Sequence, residues 1–211
     1  MGMNFYLFQN PHLIPRGFTL VEMLMVISIN TILLIVITTS IAQIYKNNSY
    51  TFEQANEIEA ARRSIGIWVR DAREMTQGAD GSYPIEVLEN NRMGFYSDID
   101  RDANVEYVEY SLSSTTLTKR TYNPTGTPPV YSTTTADTTE TLSLYVQNSL
   151  QNVPVFTYYN ATGTVLASPS AMLSDMRYVV MKVIVNIDPA RSPGEFMLHV
   201  SAAPRNLKDN L

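Results

Sequence analysis

Gly17-Phe18-Thr19-Leu20-Val21-Glu22 is the stretch that decides how this chain is read. It joins a polar leader to a long apolar run. From Met23 to Tyr45 no residue is charged, which makes 23 positions. As a helix that run is about 34 Å long, enough to cross a hydrocarbon core of about 30 Å. A secretory signal peptide is cut after its apolar region. Here the small residue resembling a cut point, Gly17, precedes the apolar run, so the helix would stay in the product. Glu22 is the one acid at the head of the run, and no Lys or Arg lies inside it. A carboxylate in a membrane span costs several kcal/mol unless paired, roughly 2.5–3.5 even on the mildest scales, and usually marks function.

A leader, then GFTLVE, then an uncharged span resembles the class III signal of type IV prepilins and pseudopilins. That resemblance implies a prepilin peptidase that cuts after Gly17 and methylates the new Phe18 amine. It implies a filament in which Glu22 pairs with the N-terminal amine of a neighbouring subunit. The leader departs from the family pattern, with Arg16 its only basic side chain besides His12. Arg16 favours a cytoplasmic leader and an exported C-terminal bulk, and Lys46 on the far side is a weaker opposing signal. The expected location is therefore the cytoplasmic membrane, single-pass, N-terminus in and C-terminus out, and then an extracytoplasmic filament.

The 211 residues divide into a leader (1–17), a membrane or filament-core helix (18–45), its amphipathic continuation (46–77) and an exported β-rich head (78–211). Between Phe18 and Ile65 there is neither Gly nor Pro, so nothing stops the helix. Phe52, Ala55, Ile58, Ile65, Trp68, Val69, Ala72 and Met75 fall at helical spacing and define an apolar face. Glu53, Glu57, Glu59, Arg62, Arg63, Arg70 and Asp71 fall mostly elsewhere, with Glu59 and Arg63 at i,i+4. Gly78 and Gly81 supply the stop. Inside the span, isolated Ser and Thr are expected to bond back to the backbone, and Asn30 to meet a partner helix.

After Gly81 the pattern turns to strands: Tyr83–Leu88, Arg92–Tyr96, then Val105–Leu112 and Leu117–Tyr122 around Ser113–Thr116. Residues 123–140, rich in Thr, Pro and Ser, read as an exposed loop. Val155–Tyr159 and Thr164–Ala167 read as a hairpin about Gly163, and Arg177–Ile187 with Glu195–Ala202 as the last pair. The expected fold is α+β: one long N-terminal helix, transmembrane then amphipathic, packed on an antiparallel sheet. Phe95-Tyr96-Ser97-Asp98-Ile99-Asp100, Val108-Glu109-Tyr110, Phe156-Thr157-Tyr158-Tyr159 and Pro204-Arg205-Asn206-Leu207 resemble J-type pseudopilins and PilW-like minor pilins.

Fifteen basic against 20 acidic residues give a formal −5, and loss of Arg16 on cleavage leaves −6. Such a surface gives no reason to expect nucleic acid as a partner. Lys119-Arg120 reads as a solvated face. There is no cysteine and the only histidines are His12 and His199, so no nucleophile with its base is assembled and no enzyme is expected. The one constellation with possible chemistry is acidic. Asp98, Asp100, Asp102, Glu106 and Glu109 stand at positions 1, 3, 5, 9 and 12 of a calcium-loop spacing, but Ala103 occupies the glycine position. Two readings stay open: a solvated acidic turn, or a calcium site on Asp98, Asp100 and Asp102 with Glu109 at the closing position.

The function expected is a minor pilin or minor pseudopilin, a structural subunit whose partners are prepilin peptidase, other subunits of the filament and the membrane. The competing reading is a signal-anchored surface protein that uses its Thr-rich loop for adhesion and never enters a filament.

Overall fold

A computed structural model describes residues 17–205, apart from Ala103, Ser168 and Pro193. The leader residues Met1–Arg16, including His12 and Arg16, and the closing Asn206-Leu207 lie outside the described residues. The architecture is α+β, as expected: the described residues form one α-helix, α1 (Leu20–Arg73), then eight strands in two antiparallel sheets. The chain forms two compact units, Met1–Ser49 and Tyr50–Leu211.

In the first unit, every residue from 17 to 49 is exposed. The polar groups of the run turn inward on their own helix. Ser28, Thr31, Thr38 and Thr39 hydroxyls each donate to the carbonyl four residues earlier, at 2.8 Å. Asn30 Nδ2 does the same to Val26 O at 2.9 Å, which leaves its side-chain carbonyl for another donor. The helix backbone and these four hydroxyls are thereby satisfied without water, the condition a bilayer imposes. The helix runs unbroken through Thr38–Ser40.

The second unit carries the rest of α1 and the sheets. The buried face of this part of the helix is not purely apolar. Tyr50, Gln54, Ala61, Ser64, Ile65, Trp68, Asp71 and Ala72 are buried, while Phe52 and Ala55, expected on that face, are exposed. The reason is polar anchoring. Gln54 Nε2 donates to Val185 O at 3.3 Å and its Oε1 accepts from Ile187 N at 2.9 Å. Ser64 Oγ donates to Leu142 O at 2.8 Å. These bonds fix the rotation of the helix, and Phe52 follows them outward. The expected Glu59–Arg63 pair is replaced by an exposed Glu59–Arg62 pair at 3.2 Å, a contact of about 0.3–0.5 kcal/mol at most.

α1 ends at Arg73, before Gly78, because the sheet captures the next residues: Thr76 N donates to Tyr96 O at 3.0 Å. Strands β1 (Ile85–Leu88), β2 (Arg92–Ser97), β3 (Glu106–Ser113), β4 (Thr116–Tyr122) and β5 (Thr138–Ser143) form a meander in sequence order. β5 starts inside the segment expected to be loop. Its threonines are β-branched and suit a pleated edge, and they pair with β4 from Thr121↔Thr138 to Leu117↔Ser143. Tyr131 anchors the remainder of that segment, donating to Val105 O at 2.5 Å and accepting from Ala79 N at 3.0 Å.

The second sheet has the order β6 (Phe156–Tyr159), β7 (Tyr178–Val185), β8 (Phe196–Ala202). The hairpin expected about Gly163 shrinks to a single bridge, Tyr159↔Val165. β6 pairs instead with β7, where Tyr159 stacks on Tyr178 with centroids 4.6 Å apart. Trp68, fully buried, lies 6.0 Å from Phe156 and joins α1 to this sheet within one hydrophobic core. Gly94 on β2 is required by close approach: a Cβ there would meet Tyr107 Oη at 2.1 Å.

Candidate functional site

Three groups of residues carry possible chemistry. The first is the N-terminal end of α1. Thr19 stands just before the helix, and Glu22 closes the first turn onto it. Glu22 Oε2 accepts from Thr19 N at 2.8 Å and from Thr19 Oγ1 at 2.9 Å, while Glu22 N donates to Thr19 Oγ1 at 3.2 Å. This is a capping box, which satisfies backbone donors that a helix start leaves orphaned. Glu22 thus has a local structural task alongside any role between subunits. Gly17 has open space around it and Phe18 is 81% exposed, so the bond between them is sterically accessible.

The second group is the acidic turn. Asp98, Asp100 and Glu106 bring one carboxylate oxygen each to within 4.8 Å of one another. Asp102 is not among them. Its Oδ1 accepts from Asn104 N at 2.9 Å and Oδ2 from Asn104 Nδ2 at 3.0 Å, and the backbone bond above all holds its pKa down. Glu109 points to another region of the sheet. There Arg92 holds it at 2.6 Å and Arg120 at 3.2 Å. The donor set able to hold calcium is therefore Asp98, Asp100 and Glu106. Glu106 is 2% exposed, and burial raises its pKa against the opposing pull of the Ile99 N–H, with the Asp100 charge adding to the rise. An ion on these oxygens would offset that desolvation.

Calcium binding there predicts a higher Tm in about 5 mM calcium than in chelator. With the roughly 10⁻⁴–10⁻³ M affinity of extracellular calcium modules, the gain is about 1–2 kcal/mol, or about 2–8 °C. Glu106→Gln should remove the difference. An equal Tm in the two buffers leaves the turn a solvated one.

The third group is buried and was not visible as a group in the sequence. Asp71, 0% exposed, accepts from Lys119 Nζ at 2.5 Å and Tyr110 Oη at 2.7 Å. Arg70 Nε reaches its other oxygen at 3.1 Å. Lys119 is itself buried, so Lys119-Arg120 is not a solvated face: Lys119 turns in to α1 and Arg120 turns to Glu109. Burial, then the Asp71 charge, pushes the Tyr110 phenol well above its ordinary pKa, so it stays a donor. This group ties α1 to β3 and β4. His199 is exposed on β8 and paired in register with Lys182, and among the described residues it meets no second histidine or cysteine.

No protein-family model matches the chain, and no curated protein does either. Among the solved structures similar to this chain is the crystal structure of the GspK-GspI-GspJ complex from the enterotoxigenic Escherichia coli type 2 secretion system, matched with 14% identity and a TM-score of 0.42 over 68% of this chain and 96% of that chain.

Proposed function

We propose that this chain is a minor pilin or minor pseudopilin: a structural subunit, cut after Gly17 by a prepilin peptidase and built into a type IV filament through the first part of α1. The observation that carries the reading is an apolar helical run that is left uncovered among the described residues. Residues 17–49 are exposed throughout, among them 18 large apolar or aromatic side chains. A helix apolar on all sides must be covered by lipid before assembly and by other helices after it. α1 is long and apolar enough to cross a bilayer. Gly17 and Glu22 at its head are the residues a prepilin needs for cutting and for register.

In this reading the second unit projects from the filament and Glu22 meets the Phe18 amine of a neighbour. The alternative, a signal-anchored surface adhesion protein, shares the helix but leaves Gly17 uncut. Shearing surface filaments from cells and sequencing this protein's N-terminal peptide by mass spectrometry separates them. The expected result is an N-methylated Phe18 at low stoichiometry. An intact Met1 leader, absent from filaments, would leave only the anchored protein.

A further inference from the structure

Where α1 ends, arginines from three separate segments meet in one groove. Arg73 from the helix, Arg101 from the turn after β2 and Arg205 from beyond β8 line a depression of about 470 Å³. A second hollow of about 300 Å³ shares Arg73, Glu74 and Arg205 with it and adds Arg70. The two hollows therefore form one continuous surface feature holding four guanidiniums against two carboxylates, Glu74 and Asp98. In a chain of net charge −5 this is a local inversion of sign.

The carboxylates nearby are already engaged. Glu74 faces Arg101 at 3.5 Å, Asp98 Oδ1 accepts from Arg101 N at 2.6 Å, and Arg70 lies on Asp71 at 3.1 Å. Arg73 and Arg205 are both exposed, and among the described residues their guanidiniums have no ion-pair or hydrogen-bond partner. Their backbones are joined, since Arg205 N donates to Arg73 O at 3.3 Å, so the two forks sit on neighbouring backbone. A cation at the C-terminal end of a helix complements its dipole, which accounts for Arg73. It does not account for Arg205 and Arg101, which reach the same place from other segments. Arg101 does so in a left-handed conformation, φ 65°, that a non-glycine residue adopts at a cost.

We propose that this groove binds an acidic peptide segment of another protein, with Arg73 and Arg205 taking its carboxylates. A guanidinium matches a carboxylate in two parallel hydrogen bonds, and the volume suits several residues rather than one ion. Glu74 and Asp98 on the rim disfavour a nucleic acid, whose phosphates recur without interruption and want an unbroken basic track. A peptide can set neutral residues or backbone N–H groups against those two acids. The proposal does not depend on assembly into a filament.

The test uses the full chain in neutral detergent and three fluorescent probes: hexaglutamate, hexalysine and a short oligothymidylate. Fluorescence anisotropy at about 50 mM salt should show hexaglutamate binding, weakened by added salt. Arg73→Gln/Arg205→Gln should bind at least about tenfold more weakly, the loss of two charge-assisted contacts, with an unchanged Tm. If the double variant is poorly folded, Arg205→Gln alone, beyond the last strand, should still weaken binding severalfold. No hexaglutamate binding overturns the proposal, as does equal affinity in wild type and variant. Tighter binding of oligothymidylate than of hexaglutamate would assign the groove to nucleic acid and also overturn it.

Discussion

Asp71→Ala is expected to cost about 3–5 kcal/mol of folding stability, the range for removing one partner of a buried ion pair. Lys119 Nζ, 2.5 Å from the lost carboxylate, would be left without its counter-charge in a site where Lys119 is only 6% exposed. The Tyr110 hydroxyl would lose its acceptor as well. For a domain of this size that cost lowers Tm by roughly 6–20 °C. The single tryptophan, Trp68, lies buried beside Phe156 and reports the transition by its emission. The pair itself is expected to add little over an apolar core. Asp71→Leu/Lys119→Met/Tyr110→Phe should therefore recover most of the loss, because desolvating two charges offsets most of their attraction. A loss below about 1 kcal/mol in the single variant would mean that water reaches the pair and that it is not buried in solution.

That pair also shows which signals in the sequence were readable and which were not. Asp71 stands three residues after Trp68 and four before Met75, the spacing of the buried face. Lys119 lies between Leu117 and Thr121 on the buried side of β4. Spacing sets each position on an inward face, yet Asp71 reads with the charges of the other faces and Lys119 as a solvated residue. What periodicity does not give is the match between them, 48 residues apart, that makes two inward charges tolerable. Read singly, each charge was better placed in water.

The same limit explains the other departures. Phe52 looks like a core residue until Gln54, an ordinary surface type, is seen gripping the backbone at Val185 and Ile187. The threonines of β5 look like loop because edge strands carry polar residues on both faces, and only pairing with β4 reveals them. Glu109 fits a calcium spacing, but strand register sets it opposite Arg120 and Gly94 rather than beside Asp98. By contrast, the long apolar helix, its acidic head and the antiparallel hairpin at Ser113–Thr116 rest on local pattern, which composition and turn chemistry encode directly.

Glu22 carries the other large effect, and its two roles can be separated by choice of substitution. Glu22→Gln keeps a side chain that completes a capping box as well as Glu does. Thr19 N and Oγ1 retain their acceptor and the helix start is preserved. What is lost is the charge that would pair with a neighbour's Phe18 amine in an apolar filament core. A charge-assisted hydrogen bond is about twice as strong as a neutral one, and each 1.4 kcal/mol is a factor of about ten. On the filament-subunit proposal, incorporation into sheared filaments should fall at least about tenfold, with membrane level and the proposed cleavage after Gly17 unchanged. Thr19→Val makes the complementary change. It removes the hydroxyl of the cap, costs about 1 kcal/mol at the helix start, and leaves the carboxylate for the amine, so incorporation should fall much less. Quantitative mass spectrometry of filament and membrane fractions reads both variants. The reverse order, with Thr19→Val damaging and Glu22→Gln harmless, would reduce Glu22 to a helix cap and sink its role in assembly.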